Sequence, residues 1–205
     1  MRVIAGSARR LLLRTPAGSN TRPTTDRIKE TLFNMLQREL AGKVFLDLFA
    51  GSGGIGIEAL SRGACHACFA DSSREAIACV RDNLTHTKLA DRATVYAMDA
   101  GAALARMSAE KRIFDIVFLD PPYGKGLELA ALSAMRQYGL LAEDATVIVE
   151  TALESNRRPD RAEAAGNPGD VSAASDIAEL EACGYRVTRI KDYKTNRHVF
   201  LTPTE

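Results

Sequence analysis

A carboxylate, two prolines and a tyrosine follow one of the most apolar segments of this 205-residue chain. Residues Ile113–Leu119 are typical of a strand buried on both faces, and Asp120-Pro121-Pro122-Tyr123 comes directly after them. Because proline cannot extend a sheet ladder, the strand must end there, with Asp120 at its mouth. The Asp120 carboxylate and the Pro121 carbonyl can each accept one hydrogen bond from an amino group on a nucleobase. Those bonds would turn the nitrogen lone pair out of the ring plane, toward an electrophilic methyl group.

Tyr123 adds an aromatic face on which an unstacked base can lie. The tetrapeptide therefore predicts an amino-methylation site in which Asp120, Pro121 and Tyr123 are the catalytic residues. A simpler alternative is a proline turn in which Asp120 caps the next helix. That alternative explains the prolines but not the aromatic ring.

A glycine-rich loop stands between an earlier strand and a helix. The segment "DLFAGSGGIG" contains Gly51-x-Gly53-x-x-Gly56, and glycines there permit a tight turn and a close approach of a ligand to the backbone. By itself this spacing is compatible with any nucleotide-like ligand. It is not a phosphate-binding P-loop, because no Lys-Ser or Lys-Thr pair follows it.

Three acids, each at the end of a predicted strand, narrow the choice of ligand. Asp71 follows Gly51 by 20 residues, where a carboxylate can accept hydrogen bonds from both hydroxyls of an adenosine ribose. Asp99 is placed to bind the adenine amino group. Asp47 would repel the pyrophosphate of a dinucleotide but would pair with an ammonium group. The set Asp47, Gly51, Gly53, Asp71 and Asp99 therefore predicts S-adenosylmethionine as the cofactor, although each acid alone could be a helix N-cap.

The elements that must position these residues alternate between strand and helix. This alternation predicts an α/β fold whose mostly parallel sheet is covered by helices on both faces, with strand order 3-2-1-4-5. The last segment, "YRVTRIKDYKTNRHVFL", predicts an antiparallel hairpin that turns near Lys194–Asn196. We expect residues 1–42 to form a basic N-terminal extension with a helix from about Thr24 to Gly42, and residues 43–205 to form the catalytic domain. Residues 151–176 are predicted to be a mobile surface insertion.

Charge and composition exclude several classes of protein. The net charge is +1, but five arginines precede the first acid, Asp26, and a second basic cluster lies near the C-terminus. Two basic ends favour a polyanionic partner. No apolar stretch approaches the ~20 residues of a membrane span, and no signal peptide is recognisable, so we expect a cytoplasmic protein. The CxxC pair Cys65 and Cys68 lies in a predicted strand, where residues three apart face opposite ways, so we predict buried thiols and no metal site.

Several segments together resemble a known family. "RVIAGSARRLLL", "RPTTDRIKETLFN", "DLFAGSGGIGIEALSRGA" and "FLDPPY" are similar to the bacterial 16S rRNA (guanine-N2)-methyltransferases, which are class I S-adenosylmethionine-dependent enzymes. The resemblance runs from Arg2 to about Glu150 and resumes in the closing hairpin. It implies a Rossmann-like fold with seven strands, and methylation of a guanine N2 amine in small-subunit rRNA. The substrate would be an assembling 30S particle and the enzyme a monomer. The resemblance also implies that Arg10, Arg22 and Thr25 approach the RNA.

Three other functions remain open at this point. A DNA adenine-N6 or cytosine-N4 methylase shares the DPPY motif, but such enzymes usually carry a target-recognition domain for which this chain has no room. An NAD-dependent oxidoreductase shares the glycine spacing, but no hydride-transfer residues are recognisable and Asp47 argues against it. A catalytically silent RNA-binding module would explain the basic ends but would give the DPPY motif no role.

Overall fold

The computed structural model describes residues 1–16, 26–153 and 171–204. Within them, the strands are β1 (Val44–Leu48), β2 (His66–Asp71), β3 (Ala93–Ala97), β4 (Phe114–Leu119), β5 (Leu141–Ala152), β6 (Tyr185–Asp192) and β7 (Asn196–Pro203). The α-helices are α1 (Asp26–Leu36), α2 (Gly54–Ser61), α3 (Arg74–Thr87), α4 (Ala100–Ala109), α5 (Leu127–Gln137) and α6 (Val171–Ala182). A 3₁₀ turn at Ala90–Arg92 precedes β3. None of the described helices is long and apolar enough to cross a membrane.

The seven strands form one sheet in the order β3-β2-β1-β4-β5-β7-β6. The first five are parallel, and β7 runs antiparallel between β5 and β6. The predicted order 3-2-1-4-5 and the C-terminal hairpin are therefore confirmed. The order reverses between β1 and β4, so the glycine loop after β1 and the Asp120 segment after β4 border one crevice at the carboxyl ends of the strands.

Two hydrophobic layers cover the two faces of the sheet. On the first face, α1, α2 and α3 pack on strand residues that include Phe45, Phe69, Phe118 and Phe200. On the second face, α4, α5 and the end of α6 pack against the alternate strand residues. The near-continuous apolar strands predicted this two-sided burial, because parallel strands between helical layers are shielded from water on both faces.

The N-terminal residues pack onto the first face, as part of the same core. A bridge pairs Arg2 with Leu12, and the apolar side chains of Val3, Ala8 and Leu13 join the cluster beneath α1 and α2. The predicted basic extension is thus folded against the sheet over residues 1–16. The boundary at residue 43 stays a prediction about how the sequence is organised.

A buried ionic cluster fastens this extension to α2. Glu58 is fully buried, and its carboxylate accepts hydrogen bonds from the amides of Ile4 (2.8 Å) and Ala5 (3.0 Å). Its oxygens also lie 3.2 Å from Lys29 Nζ and 2.7 Å from Arg62 Nε. Burial lowers the pKa of Lys29, while the adjacent carboxylate favours its charged form. The chain therefore uses one buried carboxylate to join α1, α2 and the N-terminal segment.

Three details differ from the sequence predictions. Helix α1 ends at Leu36 rather than near Gly42. Cys65 is exposed just before β2, whereas Cys68 is buried within it, so the expectation of buried thiols is wrong for Cys65. The predicted insertion at 151–176 begins inside β5 and its last residues belong to α6. Its central residues, 154–170, lie outside the described part of the chain, and so does the start predicted for α1 at Thr24.

Candidate active site

The register of the sheet places four acids on its first face, beside the crevice. Asp47 is paired with Phe69 on β2 and with Phe118 on β4. Because side chains alternate along a strand, the residues two positions further on, Asp71 and Asp120, lie one row higher on that same face. The strand pairing places Glu150 of β5 in the row of Asp120. The sheet therefore gathers residues that are far apart in sequence into one acidic row.

Asp47 is the deepest of these acids. It is 2% exposed, and its Oδ2 accepts a hydrogen bond of 2.8 Å from the amide of Gly56, in the first turn of α2. Burial raises the pKa of Asp47 to about 7, against the opposing effect of the Gly56 bond, and the nearby Asp71 raises it further. The helix-cap alternative is thus partly right for Asp47. However, that bond occupies one oxygen of a carboxylate whose charge is poorly compensated.

The glycine loop and Asp71 are in direct contact. Gly51 donates its amide to Asp71 Oδ2 at 2.9 Å, and Ser73 donates its amide to Asp71 Oδ1 at 2.8 Å. Gly51 and Gly53 have positive φ angles of 54° and 75°, as the tight turn requires. A Cβ added at Gly51 would meet nothing within 4 Å, so the backbone there is open to a ligand. Gly51 and Asp71 thus lie together at the carboxyl ends of β1 and β2, and their roles in cofactor binding stay predictions.

Asp99 performs the local task that the cap alternative assigns to it. Its Oδ1 accepts a hydrogen bond of 2.9 Å from the amide of Ala102 and so caps α4. It lies at the carboxyl end of β3, the edge strand next to β2. Its predicted contact with adenine stays a prediction.

Asp120 does not cap a helix. Helix α5 begins only at Leu127, and its N-cap is Gly126, which supplies no side-chain bond. Among the described residues, none donates a hydrogen bond to Asp120. Burial, followed by the charges of Glu150 and Asp47, raises the pKa of Asp120 well above its usual value. The cap alternative is therefore wrong for Asp120, whose carboxylate is kept basic and available.

Pro121 and Tyr123 complete the DPPY segment in different environments. Pro121 is buried, which holds its carbonyl in a fixed backbone, whereas Tyr123 is 53% exposed. Burial raises the pKa of the Tyr123 phenol, and so do the charges of Glu150 and Asp120 and a hydrogen bond to Glu150. A neutral ring that is half open to solvent is a suitable platform for an incoming base.

Sequence reasoning missed a buried polar group behind Asp120. Glu150 is 7% exposed, and its Oε2 lies 3.0 Å from Nε2 of the fully buried His198. Asn196 donates to Glu150 Oε1 at 2.5 Å, and the Tyr193 hydroxyl lies 3.2 Å from His198 Nδ1. These residues come from β5, β7 and the turn before β7, so no local motif could reveal them. A signal existed only in the polar residues interrupting otherwise apolar strands.

The backbone also carries strain at this site. Phe49, directly after β1, has a φ of 70°, a region that bulky residues rarely enter. Its amide and that of Ala50 both donate to the carbonyl of Ala70, at 3.0 Å and 2.9 Å, which holds the turn in place. Such conformations persist where surrounding bonds enforce them, and they cluster at functional sites.

Of the three residues predicted to approach RNA, the structure describes Arg10. It is exposed, has a φ of 72°, and lines an open cleft of about 660 Å³ between the N-terminal segment and α1. Three further arginines and two acids line this cleft: Arg2, Arg9, Arg27, Asp26 and Glu30. Arg22 and Thr25 lie outside the described residues, so their predicted roles stay predictions.

Comparison with known proteins identifies the family. A family model described as "Conserved hypothetical protein 95" matches residues 1–165. The chain belongs to this family. It is 45% identical over 150 residues to the YlbH protein of Bacillus subtilis, covering 73% of this chain and 82% of that protein. It is 37% identical over 155 residues to Ribosomal RNA small subunit methyltransferase D of Escherichia coli, covering 76% of each.

Among solved structures, yhhF of Escherichia coli superimposes with a TM-score of 0.76 at 30% identity, covering 100% of this chain and 98% of that one. The Rossmann-like methyltransferase fold predicted from the sequence is confirmed by this similarity together with the strand order. The Conserved hypothetical protein 95 match includes the glycine loop and the DPPY segment but ends before β6 and β7.

The residues present suit the cofactor that such a fold implies. The open backbone at Gly51 lets a ligand approach the glycine loop closely, and Asp71 at the end of β2 can bind a ribose. Asp47 is deeply buried and its negative charge is poorly compensated, so it suits an ammonium group. Among the described residues, no three side chains of the His, Cys, Asp or Glu types converge as metal ligands would.

Proposed function

We propose that this protein transfers a methyl group from S-adenosylmethionine to the exocyclic N2 amine of a guanine in 16S rRNA. The observation that carries the proposal is Asp120. Its carboxylate follows a buried strand, caps no helix, and stands one row above Asp47 on the same sheet face. Membership of the family and the 37% sequence identity to a small-subunit rRNA methyltransferase support rRNA as the class of substrate.

The mechanism assigns each residue one task. Asp47, Gly51, Gly53, Asp71 and Asp99 bind the cofactor, and S-adenosylmethionine, when bound, would supply the electrophilic methyl group. The Asp120 carboxylate and the Pro121 carbonyl each accept one hydrogen bond from an N–H group of the guanine amine. These two bonds orient the lone pair of the nitrogen for attack.

The amine nitrogen that receives the methyl group would gain positive charge and would have to release one proton. The raised pKa of Asp120 makes its carboxylate a better acceptor for that proton than an ordinary aspartate.

Tyr123 and the basic surfaces bind the RNA. RNA is read mainly where bases are unpaired, so the target guanine must leave its stack and lie on the Tyr123 ring. Arg10, with the neighbouring arginines of the N-terminal cleft, contacts backbone phosphates. The proposed substrate is an assembling 30S particle, and the proposed enzyme is a cytoplasmic monomer.

The test is methyl transfer from labelled S-adenosylmethionine into unmodified 30S particles, protein-free 16S rRNA and duplex DNA. We expect N2-methylguanosine from the ribosomal samples, identified after digestion to nucleosides. Label confined to DNA, or recovered as methyladenine, would contradict the proposal.

Two variants test the role of Asp120. Asp120→Asn should lose at least roughly 100-fold in kcat, as expected for removal of a positioned base, while retaining cofactor affinity. Asp91→Asn, on the exposed 3₁₀ turn before β3, is the matched control and should keep wild-type activity. An Asp120→Asn variant that bound the cofactor as poorly as it turned over would contradict the catalytic assignment.

A further inference from the structure

A β-bulge interrupts the edge strand β6. Val187 pairs with Leu201 and Arg189 pairs with Phe200, so Thr188 is an extra residue without a partner on β7. The Thr188 hydroxyl donates to the carbonyl of Phe200 at 3.2 Å, which stabilises the bulge. Because a bulge adds one residue, every later side chain of the strand lies on the face opposite to the one it would occupy in a regular strand.

The bulge brings three bases onto one face of the strand. Arg186 pairs with Thr202, Arg189 pairs with Phe200, and Lys191 pairs with His198. Those β7 residues alternate with Leu201 and Val199 of the second layer, so all three bases lie on the first face. In a regular strand, Arg186 would point one way and Arg189 and Lys191 the other. We call these three residues the β6 basic strip.

The basic strip is aligned with the acidic row of the active site. His198 pairs with both Lys191 and Glu150, so Lys191 stands in the row of Glu150 and Asp120. Strands β4 and β6 are three spacings apart, which is about 14 Å. The rows of Lys191, Arg189 and Arg186 follow one another at intervals of about 6.6 Å along the strand. These intervals are comparable with the separation of successive phosphates in an extended single strand.

The strip is free to meet a partner from the solvent. All three side chains are exposed, and within the described residues none of them forms an ion pair. The neighbouring acid, Asp192, lies on the opposite face and is bound to Arg197 at 2.6 Å. Helix α6 covers that opposite face, where Leu180 and Tyr185 belong to the second hydrophobic layer. Lys191 also interacts electrostatically with Asp192, but within the described residues no ion pair neutralises the strip.

The positive charge of the strip favours a negatively charged partner. The strip shares its sheet face with the Asp120 site and with the N-terminal segment that carries Arg10. We propose that Arg186, Arg189 and Lys191 bind successive backbone phosphates of the RNA strand that flanks the target guanine. This inference rests on the proposed function, because it assumes that RNA is the substrate.

The bulge and the bases have a competing explanation. Edge strands commonly carry charges and bulges that prevent pairing with another molecule. Either sign of charge serves that purpose, whereas phosphate binding needs positive charge. Reversing the charge of the strip therefore separates the two roles.

The experiment uses the full chain with three substitutions, Arg186→Glu, Arg189→Glu and Lys191→Glu. A matched control makes the same charge change at exposed positions outside the strip, with Arg81→Glu, Lys88→Glu and Lys111→Glu. For each protein, KM and kcat for unmodified 30S particles, the affinity for protein-free 16S rRNA and the oligomeric state are measured.

We expect the strip variant to raise KM and to weaken rRNA binding at least tenfold more than the control does, with kcat within about twofold of wild type and the protein monodisperse. Neutralising the same residues to Gln should reduce the slope of log affinity against log salt by about 2, because each phosphate contact on a single strand contributes about 0.7.

Two results would overturn the inference. If wild-type protein methylates 30S particles but the strip and control variants have equal KM values and salt slopes, the strip does not bind RNA and the proposed function stands. If wild-type protein transfers no methyl group to rRNA, the proposed function fails, and this inference fails with it.

Discussion

The raised pKa of Asp47 predicts that cofactor affinity depends on pH. The carboxylate has a pKa of about 7 in the free protein, because it is buried and has one hydrogen bond, from Gly56. An ammonium group binds the ionised form. The ionised fraction rises from about 3% at pH 5.5 to about 50% at pH 7, so the affinity for S-adenosylmethionine should rise roughly fifteenfold over this range. The ligand's own amino group stays charged across it.

The perturbation is Asp47→Asn, which keeps an oxygen for the Gly56 amide but removes the titration. Its affinity should be nearly independent of pH between 5.5 and 7, and about 10- to 100-fold weaker than wild type at pH 7, because a hydrogen bond to a charged group is lost. Isothermal titration calorimetry at four pH values measures both effects. Asp91→Asn should reproduce the wild-type dependence.

Stability gives a second, opposite readout in the absence of ligand. A carboxyl group whose pKa is raised on folding favours the folded state below pH ~4, and this contribution is lost as the pH rises through about 7. Asp47→Asn should therefore increase the free energy of unfolding at pH 7, by at most about 4 kcal/mol. A wild-type affinity that does not change with pH, together with an Asn variant no more stable than wild type, would refute this account of Asp47.

Three further predictions concern the framework of the site. Glu58→Gln should lower the free energy of unfolding by about 3–5 kcal/mol in chemical denaturation, because it leaves a buried lysine without its counter-charge. Gly6→Ala should release the N-terminal segment to proteolysis, since its Cβ would lie 1.8 Å from a backbone oxygen of α2, whereas Gly42→Ala, with similar φ and open space, should not. Glu150→Gln should shift the acidic limb of the kcat–pH profile to lower pH, because the Glu150 charge raises the pKa of Asp120; an unchanged limb would contradict that coupling.

The parts of the site that local sequence could predict are those made by one strand and the turn after it. The glycine loop, the acid at the end of β2 and the DPPY segment each follow an apolar strand, and parallel strands bring their carboxyl ends to one edge of the sheet. The approach of Gly51 to Asp71 follows from that rule alone. Asp99 also follows a strand, but its Oδ1 caps α4. The sequence pattern could not distinguish this capping role from ligand binding.

The parts that could not be predicted depend on the register between distant strands. Glu150 and His198 are 48 residues apart, and their contact follows from the pairing of β5 with β7. The unpaired Thr188 likewise appears only when β6 and β7 are aligned, and it decides which way Arg189 points. A hairpin can be predicted from alternation and a turn, but a one-residue bulge reverses every later side chain without altering that pattern.

The distribution of charge on the first face implies a division of labour between affinity and turnover. Acids line the crevice at the ends of β1, β2, β4 and β5, and they would repel a phosphate brought near Asp120. The N–H groups of a guanine edge are donors, so the same acids favour the base. Phosphates must then bind outside the acidic row, at bases such as Arg10 of the N-terminal segment and Arg189 of β6. Substitutions at these bases should therefore change KM and the salt dependence, whereas substitutions at Asp120 should change kcat. Variants that fail to separate in this way would mean that the bases and the acids do not divide these two tasks.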